Sequence, residues 1–283
     1  QRALLESKAA ALLALLFGAG MAIQTEGLAR RGESPLAFSL RRVGGLALLG
    51  LAHSFLLWDG DILIDYALLS LLLLPVLGLT PRRILWSLPL LWLVTGLIIL
   101  PFASRIRIAS ELIEAPARFH ALNLEHYGAG SWLAQLKYRA WEMVHVMGPV
   151  RLSSRLPLLL PFFLLGAAFW KMGLLAQPAR QRRTLQRMAL GFGFLGLAAN
   201  LVPQAEVWAL ASHLSFRPLR VLLRVAYLLA RPGLTLGYLA GILLLLEQPW
   251  GRTLLAPFAP LGRMALTQYL LQSLVCTWVF NGH

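Results

Sequence analysis

The chain has 283 residues, of which 58% are hydrophobic and 13% charged, with a mean hydropathy of +0.67. Soluble domains run near roughly 45–50% apolar with about 25% charge, so this composition excludes an ordinary soluble fold. Lys and Arg number 26 against 12 Asp and Glu, a net charge of +14; the arginines cluster between apolar blocks, which reads as basic cytoplasmic loops and not as nucleic-acid binding.

The apolar residues fall in blocks, without the alternation of β-barrel strands. Blocks of roughly 15–20 residues suit a hydrocarbon core of about 30 Å. The expected fold is all-α, a polytopic integral membrane helix bundle of about eight transmembrane helices forming a single domain over 1–283. The blocks are Leu4–Ile23, Val43–Trp58, Ile62–Leu79, Ile84–Pro101, Leu156–Leu175, Met188–Val202, Leu219–Leu246 and Leu261–Phe280.

After the first block comes a loop with Arg30, Arg31, Arg41 and Arg42. The second and third blocks are joined only by Asp59-Gly60-Asp61, and Arg82 and Arg83 precede the fourth. Residues 102–155 form a long loop of mixed charge, carrying His120, His126, His145, Trp132 and Trp141. The fifth and sixth blocks are linked by a stretch holding Lys171, Arg180, Arg182, Arg183 and Arg187. Arg231-Pro232-Gly233 breaks the seventh block into an interfacial piece and a spanning helix from about Leu234. Basic loops lie in the cytoplasm, so the Asp59–Asp61 turn and the 102–155 loop face outside. Because the chain opens on Gln1 and stops just after a helix, it reads as a piece truncated at both ends. The lone Cys276 excludes an intrachain disulfide.

Gly191, Gly193 and Gly196 spell G-x-G-x-x-G inside an apolar block. No strand precedes them, so close helix packing replaces the dinucleotide reading, and Gly237 and Gly241 are read the same way.

Three polar constellations stand out. In the first, His53 lies six residues before Asp59 and Asp65 six after it, which puts both at one depth of an antiparallel hairpin. Asp61 and Asp65 are i, i+4 neighbours. Ionisable groups in membrane helices are costly and face a cavity or a partner. His53, Asp61 and Asp65 are therefore the candidate catalytic residues, and the competing reading is a buried His–Asp pair with Asp59 and Asp61 capping the next helix. A metal site is not assigned, because the spacing is not diagnostic. The second constellation puts Gln268, Tyr269, Gln272, Ser273 and Cys276 on a broad polar side of the last block, as interhelical hydrogen bonds or a cavity lining. The third is an arginine stripe at Arg217, Arg220, Arg224 and Arg231, set for headgroups or an anionic substrate. Trp58, Asp59, Tyr66, Arg224, Arg263, Gln268, Tyr269 and Gln272 are the candidate substrate contacts.

These residues carry a resemblance. Leu16-Phe17-Gly18-Ala19-Gly20, Gly50 to His53, Trp58-Asp59-Gly60-Asp61-Ile62-Leu63, Tyr66-Ala67 and Gly262-Arg263-Met264-Ala265-Leu266-Thr267-Gln268-Tyr269-Leu270-Leu271-Gln272 resemble the YeiB-like bacterial inner-membrane family, domain of unknown function 418. Gln268 departs from a position where relatives often have Asn. The resemblance implies a multi-pass inner-membrane protein, lacking here an opening helix and a C-terminal continuation. It also implies a distant similarity to membrane acyltransferases of envelope sugars, whose histidine sits in an early helix that would precede Gln1. The leading functional expectation is acyl transfer to an envelope component, with His53 as general base, an acyl donor and an envelope glycan as partners, and membrane lipids around it. The alternatives are a proton-coupled transporter or flippase of a small or lipidic anion, and a non-catalytic scaffold with a fully packed polar interior. No cofactor is identified.

Overall fold

The computed structural model describes residues 8–58, 60–99, 124–127, 131–202, 204–213 and 215–280. Every regular element among them is helical. Helix α1 spans Lys8–Arg30 and α2 spans Pro35–Leu56. Pro35 occupies the first turn of α2, where its missing N–H loses no bond, and the Ser34 hydroxyl accepts from Ala37 N. Arg41 and Arg42, expected in a loop, therefore lie inside α2; the true connection is only the turn between Arg30 and Pro35.

Helix α3 covers Leu63–Leu73 and tightens into a 3-10 turn at Leu74–Val76, where Pro75 cannot continue the α-helical bonds. The expected fourth block is two helices, α4 (Pro81–Trp86) and α5 (Leu88–Ile99), with Ser87 between them and its hydroxyl on Ile84 O at 2.6 Å. Within the expected long loop, residues 102–123 lie outside the described set. The rest corrects the expectation: α6 (Trp132–Glu142) leads through two π-turns, Met143–Met147 and Arg151–Arg155, into α7 (Leu156–Lys171). The α6–α7 pair bends by 49°. The π-turns and the prolines at 149 and 157 account for the bend.

Helix α8 (Arg182–Leu201) and α9 (Gln204–His213) precede α10 (Arg217–Glu247), a single helix of 31 residues. The expected break at Arg231-Pro232-Gly233 is absent, although the buried run of α10 does start at Gly233. From there α10 is clamped on α8, and tertiary packing outweighs the local preference of proline. Short helices α11 (Pro249–Leu255) and α12 (Ala259–Arg263) lead to α13 (Ala265–Phe280).

Among the described residues, two helices, α1 and α2, are long and apolar enough to cross a membrane, and the bent α6–α7 pair raises this to three. Leu63–Val76 and Gly233–Glu247 are apolar but shorter. Eight spanning helices are thus not what the described residues display: prolines shorten some blocks, and arginines occupy the first turns of α8.

The core forms where small residues let backbones touch. A Cβ on Gly18 would overlap the Phe163 carbonyl, and one on Gly166 would overlap the Leu15 carbonyl, so α1 and α7 meet backbone to backbone. Phe17, Tyr66 and Phe163 fill the junction of α1, α3 and α7, with ring centroids 5.3–5.7 Å apart. Gly196 meets the Leu234 backbone and Gly237 meets Gly193, so the G-x-G-x-x-G run is a packing surface, as expected. Gly191 and Gly241 have open space beside them and take no part.

Candidate functional site: a buried His–Asp pair at the α2–α3 hairpin

Helix α2 ends where Leu57 N and Trp58 N both donate to His53 O at 2.9 Å. The chain turns and re-enters α3 at Asp61. Gly50 permits this closeness, since a Cβ there would sit 2.8 Å from Ile64 N and 2.9 Å from Asp61 Oδ2.

Asp61 is wholly buried and uses both carboxylate oxygens. Oδ2 accepts from Ile64 N at 3.0 Å and caps the first turn of α3. Oδ1 lies 2.9 Å from His53 Nδ1 and accepts the Tyr269 hydroxyl at 3.0 Å. The Nδ1–Oδ1 contact is at ion-pair distance but lacks the alignment of a hydrogen bond. Nε2 is buried and has no hydrogen-bond partner among the described residues. The Tyr269 ring lies over the imidazole, with centroids 4.9 Å apart, and its hydroxyl also accepts from Ile62 N at 3.3 Å. Proximity to His53 and capping of α3, the two parts of the non-catalytic reading of Asp61, meet in the one side chain.

Asp65, expected at the depth of His53, is not joined to it. One turn into α3, it faces the α6–α7 junction and is held by Arg151 Nε at 3.1 Å and Arg155 Nη1 at 3.3 Å. Arg151 Nη2 also donates to Asp61 O at 3.0 Å, and Arg155 Nη1 reaches Gly60 O at 3.3 Å. Arg139 is buried and donates to Phe55 O and Leu56 O, the unpaired carbonyls at the end of α2. These three arginines were hidden in the expected loop. The signal that would have found them is spacing: Arg151 and Arg155 are i, i+4, matching Asp61 and Asp65.

A cleft of about 360 Å³ opens beside the pair, bordered by Leu57, Trp58, Tyr269, Gln272, Ser273 and Thr277, with Cys276. Thr277 Oγ1 donates to Leu57 O at 3.1 Å and fastens α13 over the hairpin. Trp58 is half exposed, and its indole covers Gly60. Trp58, Tyr269 and Gln272 therefore border one cleft. Gln268 is half-buried and Arg263 exposed, and neither borders this cleft. Tyr66 turns away, its hydroxyl donating to Ala10 O at 3.0 Å. Asp59 and the Arg224 side chain lie outside the described residues. Among the described residues, no three His, Cys, Asp or Glu side chains are grouped to hold a metal ion.

Residues 169–283 match the family model described as protein of unknown function (DUF418). The uncharacterized protein YxaH of Bacillus subtilis (strain 168) is 29% identical over 98% of this chain and 67% of its own length. The uncharacterized protein YeiB of Escherichia coli (strain K12) is 28% identical over 95% of this chain and 68% of its own length. No solved structure matches the chain.

Proposed function

We propose that the chain, whose residues 169–283 match the DUF418 family model, is a member of that family and a multi-pass protein of the bacterial inner membrane that transfers acyl groups to an envelope component. One observation carries this reading: His53 Nδ1 lies 2.9 Å from the Asp61 carboxylate, while the buried Nε2 has no hydrogen-bond partner among the described residues. That is the arrangement of a general base whose carboxylate steadies the imidazolium. Burial excludes water, which would otherwise hydrolyse an activated acyl group.

In this reading an acceptor hydroxyl enters the cleft under Trp58. Tyr269, which lies between the imidazole and the cleft, swings aside on binding. His53 Nε2 takes the hydroxyl proton as the oxygen attacks the acyl carbonyl carbon. The bond from that carbon to the donor's sulfur or oxygen breaks, and the imidazolium returns the proton to the departing atom. Arg139, Arg151 and Arg155 hold the hairpin backbone and Asp65, so they position the pair.

The spans beyond α1 and α2 are built, in this reading, from the bent α6–α7 pair, α3, α8, α10 and α13, tilted or paired within the bundle. The test is a comparison of envelope acylation by mass spectrometry in a deletion strain with and without the full-length gene. Restored acylation supports the reading; identical acyl profiles overturn it.

Proton-coupled transport of an anion is the second reading. The buried carboxylates Asp61 and Asp65, with His53 beside Asp61, favour it, because Asp, Glu and His groups within membrane helices relay protons. Anion flux in proteoliposomes that follows a proton gradient would support it, and absent flux would remove it.

A further inference from the structure

A second cavity, of about 480 Å³, lies on the other side of Tyr269, between α1, α2, α3 and the start of α13. Its walls are apolar: Leu13, Phe17, Leu46, Leu49 and Leu266. Leu13, Leu49 and Leu266 are more than a third exposed, so the groove is open along its length. Ile62, Tyr66 and Tyr269 close one end, beside the His53–Asp61 pair. Gly45 forms part of the wall, and nothing lies within 4 Å of where its Cβ would be.

One cation enters this apolar lining. Arg42 is half-buried in α2, with its guanidinium carbon 4.6 Å above the Phe17 ring centroid and Nη1 donating to Gln24 Oε1 at 2.6 Å. No carboxylate pairs with Arg42 among the described residues. Glu26, two residues beyond Gln24 on α1, is taken by Lys171 at 3.6 Å, by Arg30 at 3.7 Å and by the Trp170 indole N–H at 3.0 Å. A guanidinium in an apolar wall is costly without an anion. Arg42 lies seven residues after Pro35, about 10 Å up α2 from its basic end, within reach of the headgroup region by an extended side chain.

We propose that this groove binds an anionic phospholipid, with its phosphate on Arg42 and one acyl chain along the wall of α2 towards Tyr66 and Tyr269. The proposal rests on the membrane reading of α1 and α2, and it is independent of the acyl-transfer chemistry. Groove shape supplies the chain site and Arg42 the charge preference, a combination common to basic pockets between membrane helices.

The test uses the purified full-length protein in detergent, with lipid adducts counted by native mass spectrometry. The probes are dioleoylphosphatidylglycerol, dioleoylphosphatidylcholine and inorganic phosphate. The expected result is retention of the glycerol lipid at least tenfold tighter than the choline lipid, with no adduct of inorganic phosphate. Arg42→Gln abolishes the preference but keeps weak binding of both lipids. Gly45→Phe, which fills the groove without striking the backbone, weakens both at least tenfold. Equal affinity of the two lipids for the parent protein, a preference unchanged by Arg42→Gln, or inorganic phosphate binding as tightly as the lipid would overturn the proposal. Envelope acylation is read separately, so failure here with acylation intact removes the groove assignment alone.

Discussion

His53 Nδ1 and Asp61 Oδ1 lie 2.9 Å apart with both side chains at most 1% exposed, and the same carboxylate caps α3 and receives Tyr269. One side chain thus ties the end of α2, the start of α3 and the start of α13. The energetics follow from that sharing. A buried polar group left without its hydrogen-bond partner costs about 1–3 kcal/mol, and Asp61 serves both Ile64 N and the Tyr269 hydroxyl.

Asp61→Ala is therefore expected to destabilise strongly, by about 1–3 kcal/mol for each of the two hydrogen-bond donors it abandons. Asp61→Asn keeps an acceptor for Ile64 N and should lose less stability. Both are expected to lose the proposed activity, since neither holds the imidazolium. Thermal unfolding in detergent, read beside envelope acylation, checks the split. Full activity in Asp61→Asn would contradict the orienting role.

The two arginines on Asp65 should differ. Arg151 is 3% exposed and also holds the Asp61 carbonyl, so Arg151→Ala is expected to fall in the range of about 3–5 kcal/mol. Arg155 is 32% exposed, and solvent screening limits Arg155→Ala to about 1 kcal/mol. Chemical denaturation of the two variants decides; a reversed order would overturn the assignment of Arg151 as the main partner.

Glycine packing gives a sharper contrast. Gly166→Val must push α1 off α7, because its side chain would overlap the Leu15 carbonyl, and overpacking of this kind costs about 1–3 kcal/mol or more. Gly191→Ala, inside α8, meets nothing within 4 Å and should not lower the melting temperature, helix propensity favouring a slight rise. Equal melting temperatures for both variants would contradict the α1–α7 contact.

Orientation can be read by cysteine labelling in a Cys276→Ser background. Trp132→Cys, exposed on α6, is expected to react with an impermeant maleimide in intact cells. Glu33→Cys and Ala179→Cys, in the basic connections, are expected to react only after permeabilisation. The opposite pattern would invert the topology.

Much of the fold was legible in particular residues. Apolar blocks without alternation marked helices, and Gly193, Gly196 and Gly237 marked a packing face because they had no strand or acid to serve a nucleotide. The hairpin was legible too, since Asp59-Gly60-Asp61 leaves no room for anything but a tight turn. The choice between Asp61 and Asp65 as the partner of His53 was not. Depth along two helices was read from residue counts, whereas the pairing depends on which way each carboxylate faces. Asp61, in the turn, stays against α2; Asp65, one helical turn later, faces α6–α7. The arginines that hold Asp65 were missed because mixed charge and π-turns obscure the helical period over Trp132–Arg155. The break expected at Pro232 failed for a different reason: packing of α10 on α8 is non-local and leaves no mark in a local reading.

The most direct measurement of the central claim is envelope acylation, by mass spectrometry, in a deletion strain complemented with full-length protein carrying His53→Ala or His53→Gln, at matched membrane abundance. General-base catalysis contributes about 10²–10⁴-fold, so both variants should fall to the level of the deletion strain within the assay's range. Acylation by His53→Gln at the rate of the parent protein would contradict the account and leave His53 a structural tie between α2 and Asp61.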